Sequence, residues 1–151
     1  MPEDVLRALA FDFGLRRTGV AVGQNLSASA TPVTVLKMAE GIPDWVVIDG
    51  LIKEWAPQRL VVGLPYTMQG GEQDITRRAR AFAAELEKRY PCPVLTIDER
   101  LSSKEAEARL RELRQQGRRR VRREDIDCAA ACVILESWLH SQPPTGTTHS
   151  A

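Results

Sequence analysis

The chain has little of what would mark a disulfide scaffold, a membrane span or a histidine catalyst. Its three cysteines, Cys92, Cys128 and Cys132, are an odd and unpatterned set, which excludes a disulfide framework. Cys128 and Cys132 stand four apart on a predicted helix, but no second Cys/His pair completes a metal set, so they read as small buried side chains. The two histidines, His140 and His149, sit near the tail, and neither is placed like a catalytic base. No apolar run approaches the roughly 20 residues that a spanning helix needs. The opening MPEDVLRALA is acidic where a secretory signal would be basic, so a cytoplasmic protein with no membrane partner is expected. Repeats and interdomain linkers are also lacking. The expectation is one domain over residues 1–140, followed by a disordered tail at 141–151, SQPPTGTTHSA.

What is present begins with a carboxylate inside a run that otherwise reads as buried sheet. In RALAFDFGLRRTGVAV, period-two alternation sends Leu9, Phe11 and Phe13 to one face and Ala8, Ala10 and Asp12 to the other. Gly14 permits a turn, and Thr18 to Gly23 reads as a second strand with Gly19, Ala21 and Gly23 on the small-residue face. A ligand or backbone can approach Asp12 there. An unpaired carboxylate in such a place costs several kcal/mol, so Asp12 needs a partner; an Asx hydrogen bond capping the Gly14 turn is the simplest alternative.

The rest of the chain alternates. Thr31 to Lys37 is a third strand, with Pro32 expected at its first position or on an edge. Pro43 to Ala56 switches to a helical period, weakened at Gly50 by about 1 kcal/mol. Leu60 to Leu64 is continuously apolar, as a central parallel strand is, and Gly63-Leu64-Pro65 ends it. Ile75, Ala79, Phe82, Ala83 and Leu86 mark an amphipathic helix, and Val94 to Ile97 a short fifth strand running into Asp98-Glu99-Arg100. Ser102 and Glu105 match a capping box, so a helix is expected to start there. From Glu124 a last helix resumes, in which Ala130, Ala131, Ile134 and Trp138 share the side of Asp127. The expected fold is α/β: a five-stranded mixed sheet, three antiparallel strands and then two parallel ones, flanked by helices.

Charge is segregated along the chain. Residues 1–99 carry 11 basic and 13 acidic groups, net −2, and residues 100–151 carry 10 and 7, net +3. Arg109 to Arg123 holds eight arginines against the single acid Glu112, the footprint of a surface for phosphate backbone. Arg100, Arg109, Arg114, Arg118, Arg119, Arg120, Arg122 and Arg123 are the candidate nucleic-acid contacts. A solvated helix face and loop is the plainer alternative. Asp12 ends strand one, Glu99 follows strand five, and Asp127 opens the last helix, so three acids are expected at the carboxyl edge of the parallel strands. Like charges gathered there repel unless a cation holds them, and oxygen ligands without His or thiolate select Mg2+ or Mn2+.

Four segments, LAFDFGLRRTGVAVGQ, VVGLPYTMQGGEQ, DERLSSKEAEARL and DIDCAAACVILES, together resemble the YqgF family over Leu9 to Trp138. That family comprises Holliday junction resolvase-like proteins of RNase H-like fold assigned as nucleases of the small-subunit ribosomal RNA precursor. The resemblance implies metal-supported phosphodiester hydrolysis with Asp12, Glu99 and Asp127 as catalytic and metal-ligating acids. It implies RNA as partner and branched DNA as an alternative, the latter requiring a dimer rather than a monomer. A non-catalytic RNA-binding assembly factor, or a nucleotide binder using the DxG hairpin, is the reading from a different class.

Overall fold

A computed structural model of the chain describes residues 5–27, 29–67, 69–99 and 123–141. The opening hairpin forms as the alternation demands. β1 (Arg7–Asp12) pairs antiparallel with β2 (Arg17–Gln24), and the intervening turn is held by the Gly14 amide donating to Thr18 Oγ1 at 3.2 Å. β2 in turn pairs antiparallel with β3 (Ser29–Ala39), completing the meander. Pro32 lies inside β3 rather than at its first residue, but on a stretch whose outer side pairs with no strand among the described residues, which is the expected edge position. A bulge opposite Val20 and Ala21 sits beside it and relieves the ladder where proline cannot donate.

Among the described residues the sheet has six strands, where five were expected. The additional one is β4 (Ile42–Pro43), joined to β3 by a two-residue hairpin at Glu40 and Gly41. Both hairpin residues have positive φ, 52° and 86°, as primed turns require. Pro43, expected to begin a helix, is thereby drawn into the sheet. The helix α1 (Trp45–Trp55) starts two residues later, its N-cap Asp44 accepting from the Val46 amide.

The crossovers follow. β5 (Arg59–Leu64) pairs parallel with β1, and β6 (Val94–Asp98) pairs parallel with β5; α2 (Asp74–Arg89) connects β5 to β6. The strand order is β4-β3-β2-β1-β5-β6. A third described helix, α3 (Arg123–His140), covers the other face. The helix expected from Ser102 and the basic stretch Gln115 to Arg122 lie outside the described residues, as does the expected tail from residue 142.

The two sheet faces bury different side chains, and this decides how closely helices approach. Leu9, Phe11, Val20, Leu60 and Val62 pack under α1 and α2, where Phe82 meets Phe11, Phe13 and Trp45 with ring centroids 5.3 to 6.1 Å apart. On the opposite face the sheet offers mostly alanine, Ala8, Ala10, Ala21 and Ala30, so α3 settles close with Ala131, Ile134, Leu135 and Trp138. Thr76, fully buried in the first turn of α2, accepts from the Gln73 amide at 3.0 Å and donates to the Pro65 carbonyl, tying that helix to the exit of β5.

Candidate active site

Asp12 is the last residue of β1, half-buried and paired with Gly19 of β2. It shares the face of Ala8 and Ala10, which is the face α3 covers. The Gly14 amide, the donor that an Asx turn at Asp12 would require, is engaged by Thr18.

Glu99 follows β6 directly and is half-buried. One strand separates its backbone from that of Asp12, since β5 lies between β1 and β6. Two spacings amount to about 10 Å. The side chain closes part of that gap. A Cβ placed on Gly63 of β5 would meet Glu99 Cγ at 2.8 Å and Cδ at 3.0 Å, so the carboxyl stem of Glu99 lies over β5. Continuing the parallel register one step past Phe11 and Val62 sets Gly63 beside Asp12. The carboxyl group of Glu99 thus reaches the strand adjacent to β1.

Helix α3 arrives at the same edge. Cys128 Sγ donates to the Thr34 carbonyl at 3.5 Å, and Glu136 Oε2 accepts from the Ala30 amide at 3.0 Å. Thr34 is level with Val20, and Val20 with Phe11, so α3 runs antiparallel to β1 with its N-terminal end at the end where Asp12 stands. Asp127 lies in that opening stretch of helix, four residues before Ala131 and seven before Ile134, both buried against the sheet. Its side chain is outside the described residues. Among the described residues, Asp12 and Glu99 bring carboxylate oxygens to this edge. Neither of the two buried thiols, Cys128 and Cys132, is in a disulfide, and Cys128 is turned to a backbone carbonyl of β3. Among the described residues no three His, Cys, Asp or Glu side chains form a metal-holding group; the described part of the edge contributes Asp12 and Glu99.

Asp98 pairs with Leu64 at the end of β6 and, by strand alternation, belongs to the face opposite Glu99. Arg100, Arg109, Arg114, Arg118, Arg119, Arg120 and Arg122 lie outside the described residues, and Arg123 opens α3 with its side chain also outside them. Beside the edge runs the loop after β5. The Thr67 amide donates to the Gly71 carbonyl and the Gly71 amide to Thr67 Oγ1, while Arg80 donates to both Glu72 and Tyr66. Sequence reasoning singled out the acids but gave Gly63 only the role of ending a strand.

A family profile described as "RuvX: Holliday junction resolvase" matches residues 6–141. The chain belongs to this family. RuvX proteins are nucleases, hydrolases of phosphodiester esters, and the curated relatives carry names to that effect. Each of three is called "Putative pre-16S rRNA nuclease". The protein of Legionella pneumophila strain Philadelphia 1 is 48% identical over 139 residues, covering 92% of this chain and 97% of its own. That of Shewanella denitrificans is 48% identical over 134 residues, covering 89% and 94%. That of Coxiella burnetii strain Dugway is 46% identical over 142 residues, covering 94% and 98%. Among solved structures, RuvC of Thermus thermophilus in complex with a Holliday junction substrate aligns with a TM-score of 0.60 at 15% identity over 90% of this chain and 95% of that one. A second Thermus RuvC structure aligns at 0.55 and 12% identity. The RuvX chain therefore has the RNase H-like fold of RuvC, and the expected α/β class holds with one extra strand.

Proposed function

We propose that this RuvX chain is a metal-dependent nuclease acting on the precursor of small-subunit ribosomal RNA, with Asp12, Glu99 and Asp127 holding magnesium or manganese. The observation that carries the reading is the passage of Glu99 over Gly63 to the strand beside Asp12. Two carboxylates from non-adjacent strands, on one sheet face at one edge, are an oxygen-only donor set suited to a hard divalent cation. Bound metal would supply charge neutralisation at the phosphate and make a coordinated water more acidic than bulk water. The protein's own part is positional. β1 fixes Asp12 through its ladder to β2, β6 delivers Glu99, and α3 brings Asp127 to the same end. The arginines between Arg100 and Arg123 hold the substrate backbone and set its register on the edge.

The names of the curated relatives support a ribosomal RNA precursor as substrate. The family description favours a second reading, resolution of four-way DNA junctions, which needs a dimer presenting two such edges to opposed strands. One experiment separates them: cleavage of a labelled precursor RNA and of a four-way DNA junction, each titrated with Mg2+ and Mn2+. The RNA is expected to be cut and the junction spared. Asp12→Asn should lower the rate by roughly a hundredfold or more, the several kcal/mol that metal charge stabilisation supplies, with the melting temperature kept. Undiminished cutting by Asp12→Asn would remove the site.

A further inference from the structure

The fold separates the strands carrying Asp12 and Glu99 by a third strand, so some feature of β5 must allow the two acids to meet. A side chain pointing from the end of β5 toward α3 would stand between them. The position is Gly63, which follows Val61 by two along the face that α3 covers. A methyl carbon there would lie 2.6 Å from Ile134 Cδ1, 2.8 Å from Glu99 Cγ and 3.0 Å from Glu99 Cδ. Carbon atoms in contact sit about 3.5 to 4.0 Å apart, so with any residue larger than glycine the first two approaches require a neighbour to move and the third is tight. The clash is two-sided. Ile134 belongs to α3, and Glu99 to the end of β6, so the bare Cα is where the helix bearing Asp127 and the strand end bearing Glu99 both close on the sheet.

We propose that Gly63 is a positioning residue of the active edge: the missing side chain is the slot through which Glu99 crosses β5 toward Asp12. It touches no reacting atom and acts through Glu99. The proposal rests on the assignment of Glu99 as a metal-holding acid. It adds a requirement on β5 that the acids alone do not imply.

The test uses the full chain and four variants: Gly63→Ala, Ile134→Val, Gly63→Ala with Ile134→Val, and Glu99→Gln. Two readouts are taken besides the melting temperature: Mn2+ affinity by electron paramagnetic resonance of the free ion, and kcat and KM for cleavage of the labelled precursor RNA. Ile134→Val removes Cδ1 and with it the 2.6 Å approach, leaving those of Glu99 Cγ and Cδ. In the double variant the melting temperature should return to that of Ile134→Val alone. Mn2+ affinity and kcat should stay at least tenfold down, close to Glu99→Gln, with KM unchanged. Recovery of both Mn2+ affinity and kcat in the double variant would overturn the proposal by reducing Gly63 to a packing site for α3. So would wild-type behaviour of Gly63→Ala, or failure of the double variant to fold while Ile134→Val folds. If Glu99→Gln itself binds Mn2+ and cuts like wild type, the assignment of Glu99 fails, and that result is distinct from the others.

Discussion

Single side chains tie this fold across large distances in sequence, and Tyr90 is a measurable case. Its hydroxyl donates to Asp49 Oδ1 at 2.6 Å, joining the end of α2 to the middle of α1. Burial raises the phenol well above its usual value, and the hydrogen bond to Asp49 and that residue's negative charge add to the rise. A group whose folded-state pKa is raised stabilises the fold fully below its unfolded value, about 10 for tyrosine, and loses that contribution as pH climbs beyond it. Urea midpoints should therefore fall more steeply above pH 10 in the wild type than in Tyr90→Phe, which should cost about 1 kcal/mol at neutral pH. Parallel decline of the two proteins would refute the pairing. Such a contact, 41 residues apart, leaves no trace in the sequence. Asp12 did leave one, because a carboxylate between buried alanines contradicts its surroundings. Gly63 did not, because the absence of a side chain has a meaning only once Glu99 and Ile134 are seen to occupy the space.

At the level of elements, periodicity carried most of the information. Alternation in β1 assigned Leu9 and Phe11 to one layer and Ala8 and Ala10 to the other, and the layers are as expected. The continuous apolar run Leu60 to Leu64 is the central parallel strand β5. β4 escaped because two residues cannot show a period, and its Glu40-Gly41 turn lacks the Asn or Asp that usually announces a primed hairpin. Gly50 was read as a weak point of α1, and the structure sharpens that into a prediction. An added Cβ meets nothing within 4 Å, so Gly50→Ala relieves the backbone entropy cost without a clash. The expected gain is about 1 kcal/mol, or roughly 2 to 4 °C in melting temperature for a chain of this size. Calorimetry of the two proteins checks it, and an unchanged or lower melting point would show that Gly50 serves something other than helix continuity.

Over the whole molecule, topology sets where Asp12 and Glu99 stand, while the basic charge of the sequence lies in a different part of the chain. The parallel strands β1, β5 and β6 end together, and α3, running back against them, begins there. That convergence follows from the parallel pairing of β1, β5 and β6 and is the reason acids far apart in sequence can share a site. The negative first two-thirds of the chain would repel a polyanion, so affinity has to come from the last third, where Arg109 to Arg123 concentrates eight of the 17 arginines. Replacing Arg118, Arg119 and Arg120 together by glutamine removes three positive charges without touching Asp12, Glu99 or Asp127. For single-stranded RNA each phosphate contact contributes about 0.7 to the slope of log affinity against log salt, so the slope should become shallower by about two. KM should rise several-fold at low salt, while kcat at saturating RNA stays near wild type, because the role proposed for these residues is to hold backbone and not the reacting phosphate. Fluorescence anisotropy from 50 to 300 mM KCl measures the first effect and steady-state cleavage the second. An unaltered salt slope would place the phosphate-binding surface elsewhere. A collapse of kcat at saturation would instead make this arginine cluster part of the catalytic edge itself.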